Sequence, residues 1–162
     1  MPVTITEGYA PGCIGRIAQL HASYYSATSG FGAEFEAKVA RELAEFCQSY
    51  KEGRDGIWLA SGHGIEGSVA IDGSHAQDEG AHLRWFITSE ALRGQGVGTQ
   101  LLAQALKFAD GRGYRRTYLW TFAGLNAARH LYESHGFCLA HEGQGAQWGK
   151  SVTEQRYERS VA

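Results

Sequence analysis

Residues 91–113 read Ala-Leu-Arg-Gly-Gln-Gly-Val-Gly-Thr-Gln-Leu-Leu-Ala-Gln-Ala-Leu-Lys-Phe-Ala-Asp-Gly-Arg-Gly, and this stretch decides the fold. A glycine occupies every second position from Gly94 to Gly98, behind the β-rich run His82–Thr88 and ahead of a strongly helical segment. Glycines let backbone N–H groups converge without a Cβ in the way, and the first N–H groups of a helix have no partner inside it. The stretch therefore predicts a strand, a turn and a helix N-terminus that together bind a phosphate-carrying molecule.

The spacing of these glycines narrows the class of phosphate-binding turn. Gly-x-Gly-x-Gly differs from the Gly-x-Gly-x-x-Gly of dinucleotide-binding turns, and the Gly-Lys-Ser/Thr ending of a Walker loop is missing. A tight turn that uses its glycines only for packing is the alternative, which three alternating glycines disfavour. Arg93, at the start of the turn, adds a permanently charged, forked donor.

Periodicity along the rest of the chain predicts one α/β domain over residues 1–162, with a mixed sheet flanked by helices in the order β-α-α-β-β-β-α-β-α-β-β. Strands are predicted at 3–7, 57–61, 66–71, 82–88, 116–122, 137–142 and 147–159. Helices are predicted at 12–25, from Phe35 to near Gly53, from the glycine turn to Gly111 and Gly113, and from 124–126 to 135–136. The strands on either side of the third helix should be parallel, through a right-handed crossover.

Composition excludes several classes of partner. The 162 residues carry a net charge of −2 without a dense Lys/Arg stripe, which argues against nucleic acid. Apolar runs are too short for a membrane span and the N-terminus lacks the features of a signal peptide, so we expect a cytoplasmic protein. Seven histidines and three cysteines show no ligand spacing, so we expect no metal site and three reduced, partly buried thiols.

Two motifs in this order resemble the GNAT (Gcn5-related) N-acetyltransferase family. Arg93–Gly98 is similar to its Arg/Gln-x-x-Gly-x-Gly/Ala signature, and Asn126–Phe137 is similar to its Asn-x-x-Ala-x-x-Leu-Tyr-x-x-x-Gly-Phe segment. The chain from Leu83 onward also resembles the acetyltransferase domains of MarR/GNAT fusion proteins. Stretches 83–86, 118–122, 147–150 and 154–155 carry that second likeness. The 162 residues contain no winged-helix segment, so the regulatory role of such fusions is not carried over.

The resemblance implies acetyl-CoA as the acyl donor. Its pyrophosphate would bind the backbone N–H groups of the turn, with Arg93 beside it; the residues concerned are Gly94, Gln95, Gly96, Val97, Gly98 and Thr99. In the family the fourth and fifth strands splay apart and the pantetheine arm inserts between them, which by position falls on Trp85, Phe86 and Ile87. One N–H there would polarise the thioester carbonyl, while the side chains remain available for core packing.

The downstream motif implies two further roles. Tyr132 matches the general acid that protonates the departing CoA thiolate, since a phenol has a pKa near that of a thiol; the alternative is a core tyrosine. Asn126, in the first turn of the same helix, either caps that helix or contacts the pantetheine amide.

The general base stays open. The register that holds a glutamate in some relatives falls near Ala81, and the nearest titratable groups are Glu79 and His82. Glu79 would lie on the same strand face as Ala81 if the strand extends that far, but a solvated loop glutamate is favoured. The pKa of a free histidine suits His82 to the role; the alternative is a ring that points into the sheet.

Acceptor specificity is expected in the first two helices and their connection. Tyr24, Phe31 and Phe35, with Tyr25, cluster around two glycines and predict an aromatic-lined mouth. Core packing is an equal alternative for Phe35 and a weaker one for Tyr24 and Phe31.

Three functions remain. The first is transfer of an acetyl group from acetyl-CoA to a primary amine of a small molecule, peptide or protein. A non-catalytic acyl-CoA sensor or interaction module is the second, and transfer of a longer acyl group is the third. The tail Gln147–Val161 is a candidate edge or swapped element for a homodimer.

Overall fold

A computed structural model describes residues 2–161 as a seven-stranded sheet with two helices on each face. The strands are β1 (Thr4–Glu7), β2 (Gly56–Gly62), β3 (Gly64–Asp72), β4 (Ala81–Thr88), β5 (Arg116–Phe122), β6 (Cys138–Gly145) and β7 (Val152–Ser160). The helices are α1 (Cys13–Ser29), α2 (Ala33–Gln48), α3 (Val97–Gly111) and α4 (Asn126–Ser134), and a 3₁₀ turn spans Glu90–Leu92. The predicted fold class and element order are confirmed.

The sheet order is β1-β2-β3-β4-β5-β7-β6. Neighbouring strands are antiparallel except for β4 and β5, which are parallel and joined through α3, as the crossover rule predicts. The predicted edge role of the tail is wrong, because β7 lies between β5 and β6 and both of its backbone edges are paired. The outer strand on that side is β6.

Three predicted boundaries are wrong by four or five residues. Helix α1 continues four residues past its predicted end and stops at Ser29, where Gly30 (φ 72°) takes the left-handed conformation that ends helices. Helix α2 ends at Gln48, well before Gly53. The last strand begins at Val152, because residues 146–149 form a turn closed by a hydrogen bond from the Gly149 N–H to the Ala146 carbonyl, 3.0 Å long.

The two faces of the sheet carry separate hydrophobic clusters. Helices α3 and α4 pack on one face, where the predicted apolar stripe of α3, Leu101 to Ala109, is buried. Helices α1 and α2 pack on the other face around Ile17, Leu43 and Phe46. The sheet therefore separates the α1/α2 side of the molecule from the α3/α4 side.

Asp55 ties together two loops at one end of the sheet. Its side chain is 1% exposed and accepts hydrogen bonds from the backbone N–H groups of Lys51 and Gly73, at 2.9 and 2.8 Å. The Arg54 guanidinium, partly exposed, pairs with the same carboxylate at 2.8 Å. The loop between α2 and β2 is thereby joined to the end of β3.

Cys13, Cys47 and Cys138 are free thiols. Partial burial was predicted for all three, but Cys138 is exposed on β6. Among the helices of residues 2–161, none has the length and apolar character that a bilayer crossing requires.

Candidate active site

The parallel strands β4 and β5 separate soon after they begin to pair. Their register contains only Ala81 opposite Thr117 and His82 opposite Tyr118, both at the start of the strands. Beyond these positions the sheet opens, so backbone groups on the facing edges of both strands are left without a ladder partner. The splay expected from the resemblance is confirmed.

A β-bulge in β4 lies beside this opening. Ser68 of β3 pairs with Ile87, and two residues further along β3 Ala70 pairs with Arg84, so β4 holds one extra residue. The bulge falls at Trp85, whose φ of 49° is positive, and its carbonyl accepts a 2.6 Å hydrogen bond from the buried Ser68 hydroxyl. Trp85 therefore packs on the α1/α2 side, whereas the next residue, Phe86, packs on the α3/α4 side.

A cavity of ≈ 340 Å³ occupies the opening. Its wall includes Trp85 and Phe86 from the bulge, Tyr132 from α4 and Phe35 from α2. Because residues from both faces of the sheet line it, the cavity connects the α1/α2 side with the α3/α4 side. A bound molecule could enter from one side and be met by a second molecule from the other.

The glycine turn leads into α3 with its N-terminus uncapped. Gly94 (φ 77°) and Gly96 (φ 72°) both adopt the left-handed conformation that glycine alone takes without strain. Gly96 is the N-cap; no side chain caps the helix and no acidic residue lies in its first turn. The N–H groups of Val97, Gly98 and Thr99 are therefore suited to a bound anion, which the positive end of the helix dipole also favours.

Gly98 lets the helix start lie close to the opening. A Cβ at this position would be 3.5 Å from the Phe86 ring and 3.6 Å from Leu131, so a larger side chain would press on both. The glycine turn and the strand opening therefore lie next to each other. The guanidinium carbon of Arg93, at the start of the turn, lies 5.6 Å from the centre of the Tyr24 ring.

Tyr132 is held rigidly at the cavity wall. Its side chain packs against the rings of Phe86, Phe137 and Tyr157, with centroid separations of 6.0 to 6.2 Å. Burial raises the pKa of the Tyr132 phenol well above its usual value, with smaller contributions from Tyr25 and Tyr157. The hydroxyl therefore stays protonated at neutral pH and is available as a proton donor.

These features agree with what comparison of the sequence with protein families finds. The family model described as "Acetyltransferase (GNAT) family" matches residues 17–137, about three quarters of the chain. The chain belongs to the GNAT acetyltransferase family. Human N-acetylaspartate synthetase is 29% identical to this GNAT chain over 126 residues, which are 77% of the chain and 42% of the human protein. The chain spans about half the length of the curated relatives it matches.

Solved structures of GNAT proteins share the fold. A GNAT-family acetyltransferase from Staphylococcus aureus Mu50 superposes with a TM-score of 0.78 at 16% identity, covering 99% of this chain and 100% of the other. YncA of Salmonella typhimurium, described as a candidate acetyltransferase and solved with its cofactor acetyl-CoA, gives a TM-score of 0.78 at 15% identity. The coverage is 100% of this chain and 95% of YncA. At these identities the likeness concerns the fold alone.

Asn126 does not act as the N-cap of α4 in this GNAT chain. Helix α4 begins at Asn126 itself, its N-cap is Leu125, and no side chain makes a capping hydrogen bond there. The capping alternative is therefore wrong. The other alternative, contact with a bound molecule at the helix start, stays a prediction.

Glu79 lies outside strand β4, although a role as the base requires it on the same strand face as Ala81. Strand β4 begins at Ala81, behind Gly80 with φ 114°, so Glu79 lies in the preceding turn and shares no strand face with Ala81. Its side chain is 59% exposed, and the carboxylate lies 3.2 Å from the Arg156 guanidinium. A solvated loop carboxylate, the alternative favoured from sequence, describes it better than a catalytic base.

The three residues predicted to line the mouth for the acceptor amine occupy different places in the structure. Phe35 lines the cavity and is also buried in the α1/α2 cluster, so both of its interpretations apply. Phe31 is only 3% exposed and packs against Phe35, Phe122 and Trp148, so it is a core residue. Tyr24 lines a second cavity of ≈ 280 Å³ between α1 and the end of β4.

Charged residues that the sequence pattern does not single out form one wall of the cavity. Lys38 and Glu42 of α2 pair at 2.6 Å, Glu42 also pairs with Arg84 of β4, and Arg84 lies 3.6 Å from Asp72. Burial alone would raise the pKa of Glu42, but hydrogen bonds and charge from Lys38 and Arg84 lower it overall. The spacing of Lys38 and Glu42 on one helix was the sequence signal for half of this network.

Proposed function

We propose that this GNAT chain transfers the acetyl group of acetyl-CoA to a primary amine of a small molecule, peptide or protein. The observation that carries the proposal is the single cavity in which the bulged, splayed β4 meets Tyr132, next to an uncapped helix N-terminus. Family membership and the acetyl-CoA held by the related fold of YncA support it.

Different parts of the site would bind different parts of acetyl-CoA. The N–H groups of residues 94–99 would hold the pyrophosphate, which supplies the negative charge that a helix start attracts, and Arg93 would add a charge-assisted hydrogen bond. The free backbone edge of Trp85, Phe86 and Ile87 would pair with the pantetheine amides. Asn126, which follows the end of β5, would also contact a pantetheine amide. A β4 N–H beside the bulge would polarise the thioester carbonyl.

The chemistry of transfer needs a proton donor at sulfur. The Tyr132 hydroxyl would donate its proton there as the carbon–sulfur bond breaks, because burial keeps the phenol protonated. The acceptor amine would approach from the α1/α2 side, past Phe35 and Trp120, which line that part of the cavity. The paired charges of Lys38, Glu42 and Arg84 would form its polar wall.

The direct experiment is a thiol assay for free CoA with acetyl-CoA and a panel of primary amines. The panel should include amino acids, polyamines, aromatic amines and short peptides. Amine-dependent release of CoA with formation of the acetylated amine is expected for at least one class. Release that does not depend on any amine would contradict the proposal.

A sensor that binds acyl-CoA without catalysis is the second candidate. The observation that favours it is Ala81, buried at the register where some relatives hold a glutamate. In that case acetyl-CoA would raise the melting temperature while no amine released CoA. The thiol assay with longer acyl-CoA esters in place of acetyl-CoA would test the third function, transfer of a larger acyl group.

Gly96→Ala is expected to weaken acetyl-CoA binding by about tenfold, because a side chain at φ 72° costs about 1–2 kcal/mol and reshapes the turn. Isothermal titration calorimetry measures the effect. Gly111→Ala is the matched control: this glycine lies in the last turn of α3, and a Cβ there meets nothing within 4 Å. The control should bind acetyl-CoA like the wild type, and equal affinities of the two variants would count against this role of the turn.

A further inference from the structure

An imidazole lies in the cavity wall on the α1/α2 side. His21 of α1 is 6% exposed and lines the same cavity as Tyr132. Its Nδ1 lies 2.8 Å from the carbonyl oxygen of Ile17, one helical turn earlier. A carbonyl oxygen can only accept, so in the neutral ring Nδ1 carries the hydrogen and Nε2 keeps a lone pair. The helix backbone thus sets both the tautomer and the orientation of the ring.

His21 and Tyr132 stand on opposite sides of the opening. Helix α1 packs on one face of the sheet and α4 on the other, and the cavity passes between them. Tyr25, on the same helix as His21, also lines the cavity: its ring centroid is 6.3 Å from that of His21, and its phenol contributes to the raised pKa of Tyr132. The amine attacks the carbonyl carbon from one side and the sulfur leaves from another. The proton acceptor and the proton donor must therefore stand on opposite sides of the thioester.

The other titratable side chains in the cavity wall are poor proton acceptors. The Glu42 carboxylate already accepts hydrogen bonds from Lys38 and Arg84, which lower its pKa against the effect of burial. The His82 ring stacks on Tyr118 with centroids 4.4 Å apart and lies at the start of β4, where β4 and β5 are still paired. Tyr25, with a pKa raised to about 12 by burial, is itself protonated.

We infer that Nε2 of His21 accepts the proton that the acceptor amine loses when it attacks the thioester; this inference rests on the proposed function. The amine nitrogen bonds to the carbonyl carbon, its proton passes to Nε2, and the carbon–sulfur electron pair leaves with sulfur. Tyr132 protonates that sulfur. The imidazolium then returns its proton through solvent to the Tyr132 phenolate, so that amine and acetyl-CoA become amide and CoA.

The protonation state of His21 suits this role. Burial lowers the pKa of the imidazole to about 4, against a smaller opposing effect of the hydrogen bond to Ile17. The lone pair is therefore free at neutral pH. A base this weak is sufficient because the amine nitrogen becomes much more acidic once it has bonded to the carbonyl carbon.

His21→Asn tests the inference, because its side-chain amide can still donate to the Ile17 carbonyl but offers no ring nitrogen at the Nε2 position. With the best amine of the panel, kcat is expected to fall at least about 100-fold, with little change in KM for acetyl-CoA. His63→Asn, at the exposed tip of the β2–β3 hairpin, is the matched control and should keep wild-type turnover. If kcat of His21→Asn stays within about threefold of this control, the inference is wrong.

Chemical rescue separates a proton acceptor from a packing residue. In His21→Ala, added imidazoles of similar size should restore turnover in proportion to their basicity. Rescue that is independent of basicity would give His21 a packing role and overturn the inference. His21→Ala also decides the matter if His21→Asn does not fold. If the wild type itself releases no CoA with any amine, both the proposed function and this inference are overturned. If the wild type turns over and the His21 variants keep its turnover, only this inference is overturned.

Discussion

Tyr132→Phe is expected to lower kcat for acetyl transfer by about 10²- to 10³-fold while acetyl-CoA affinity changes little. The substitution removes one hydroxyl and keeps the ring contacts with Phe86, Phe137 and Tyr157 that hold the side chain in place. Without that hydroxyl, the sulfur must leave as a thiolate or take its proton from water. Steady-state assays of CoA release, with titration calorimetry for acetyl-CoA, measure the two quantities.

The pH dependence of the wild type should agree with this role. Because burial raises the pKa of Tyr132, the protonated phenol persists through about pH 9, where a free tyrosine would begin to ionise. Tyr157→Phe is the matched control, since Tyr157 is buried in ring contact with Tyr132 but does not line the cavity. If both variants turn over at the same rate, Tyr132 is not the acid.

Asp55→Ala is expected to lower the free energy of unfolding by about 3 kcal/mol. The variant leaves the N–H groups of Lys51 and Gly73 without their carboxylate acceptor at a site that is almost entirely buried. Arg54 adds less, because its partly exposed guanidinium can return to water. Chemical denaturation with an unchanged slope and a lower midpoint is the expected result.

Asp78→Ala is the control for charge alone. Asp78 lies exposed in the turn between β3 and β4, so its removal should change stability by no more than about 0.5 kcal/mol. A loss below about 1 kcal/mol for Asp55→Ala would mean that water replaces the carboxylate and that the two loops are not tied through it.

Much of the fold could be predicted from local signals. The hairpin at Gly62–Gly64, the end of α3 at Gly111 and the parallel pairing of β4 with β5 all follow from turn chemistry, helical periodicity or connection handedness. The end of α1 and the start of β7 were missed. The apolar residues of α1 no longer follow helical spacing in its last turn. The turn at 146–149 contains residues that would also suit a strand.

The site was harder to predict from the sequence than the fold, because its geometry depends on contacts between residues that are distant along the chain. Phe31 and Phe35 are equivalent aromatic residues by pattern, yet only Phe35 reaches the cavity while Phe31 packs in the core. Glu79 seemed close to the reaction by its distance along the chain, but the strand starts two residues later and leaves it exposed. His21 follows the apolar spacing of residues 14–21, and nothing near it along the chain marks it as a functional residue.

The sequence by itself determined the glycine turn, the uncapped start of α3 and the family, because backbone freedom and short-range spacing are properties of neighbouring residues. Only the tertiary structure decided the width of the β4–β5 opening, the bulge at Trp85 and the arrangement of His21 opposite Tyr132. These depend on how the two helix pairs pack on opposite faces of one sheet. Such packing joins residues more than a hundred positions apart, which no local pattern specifies.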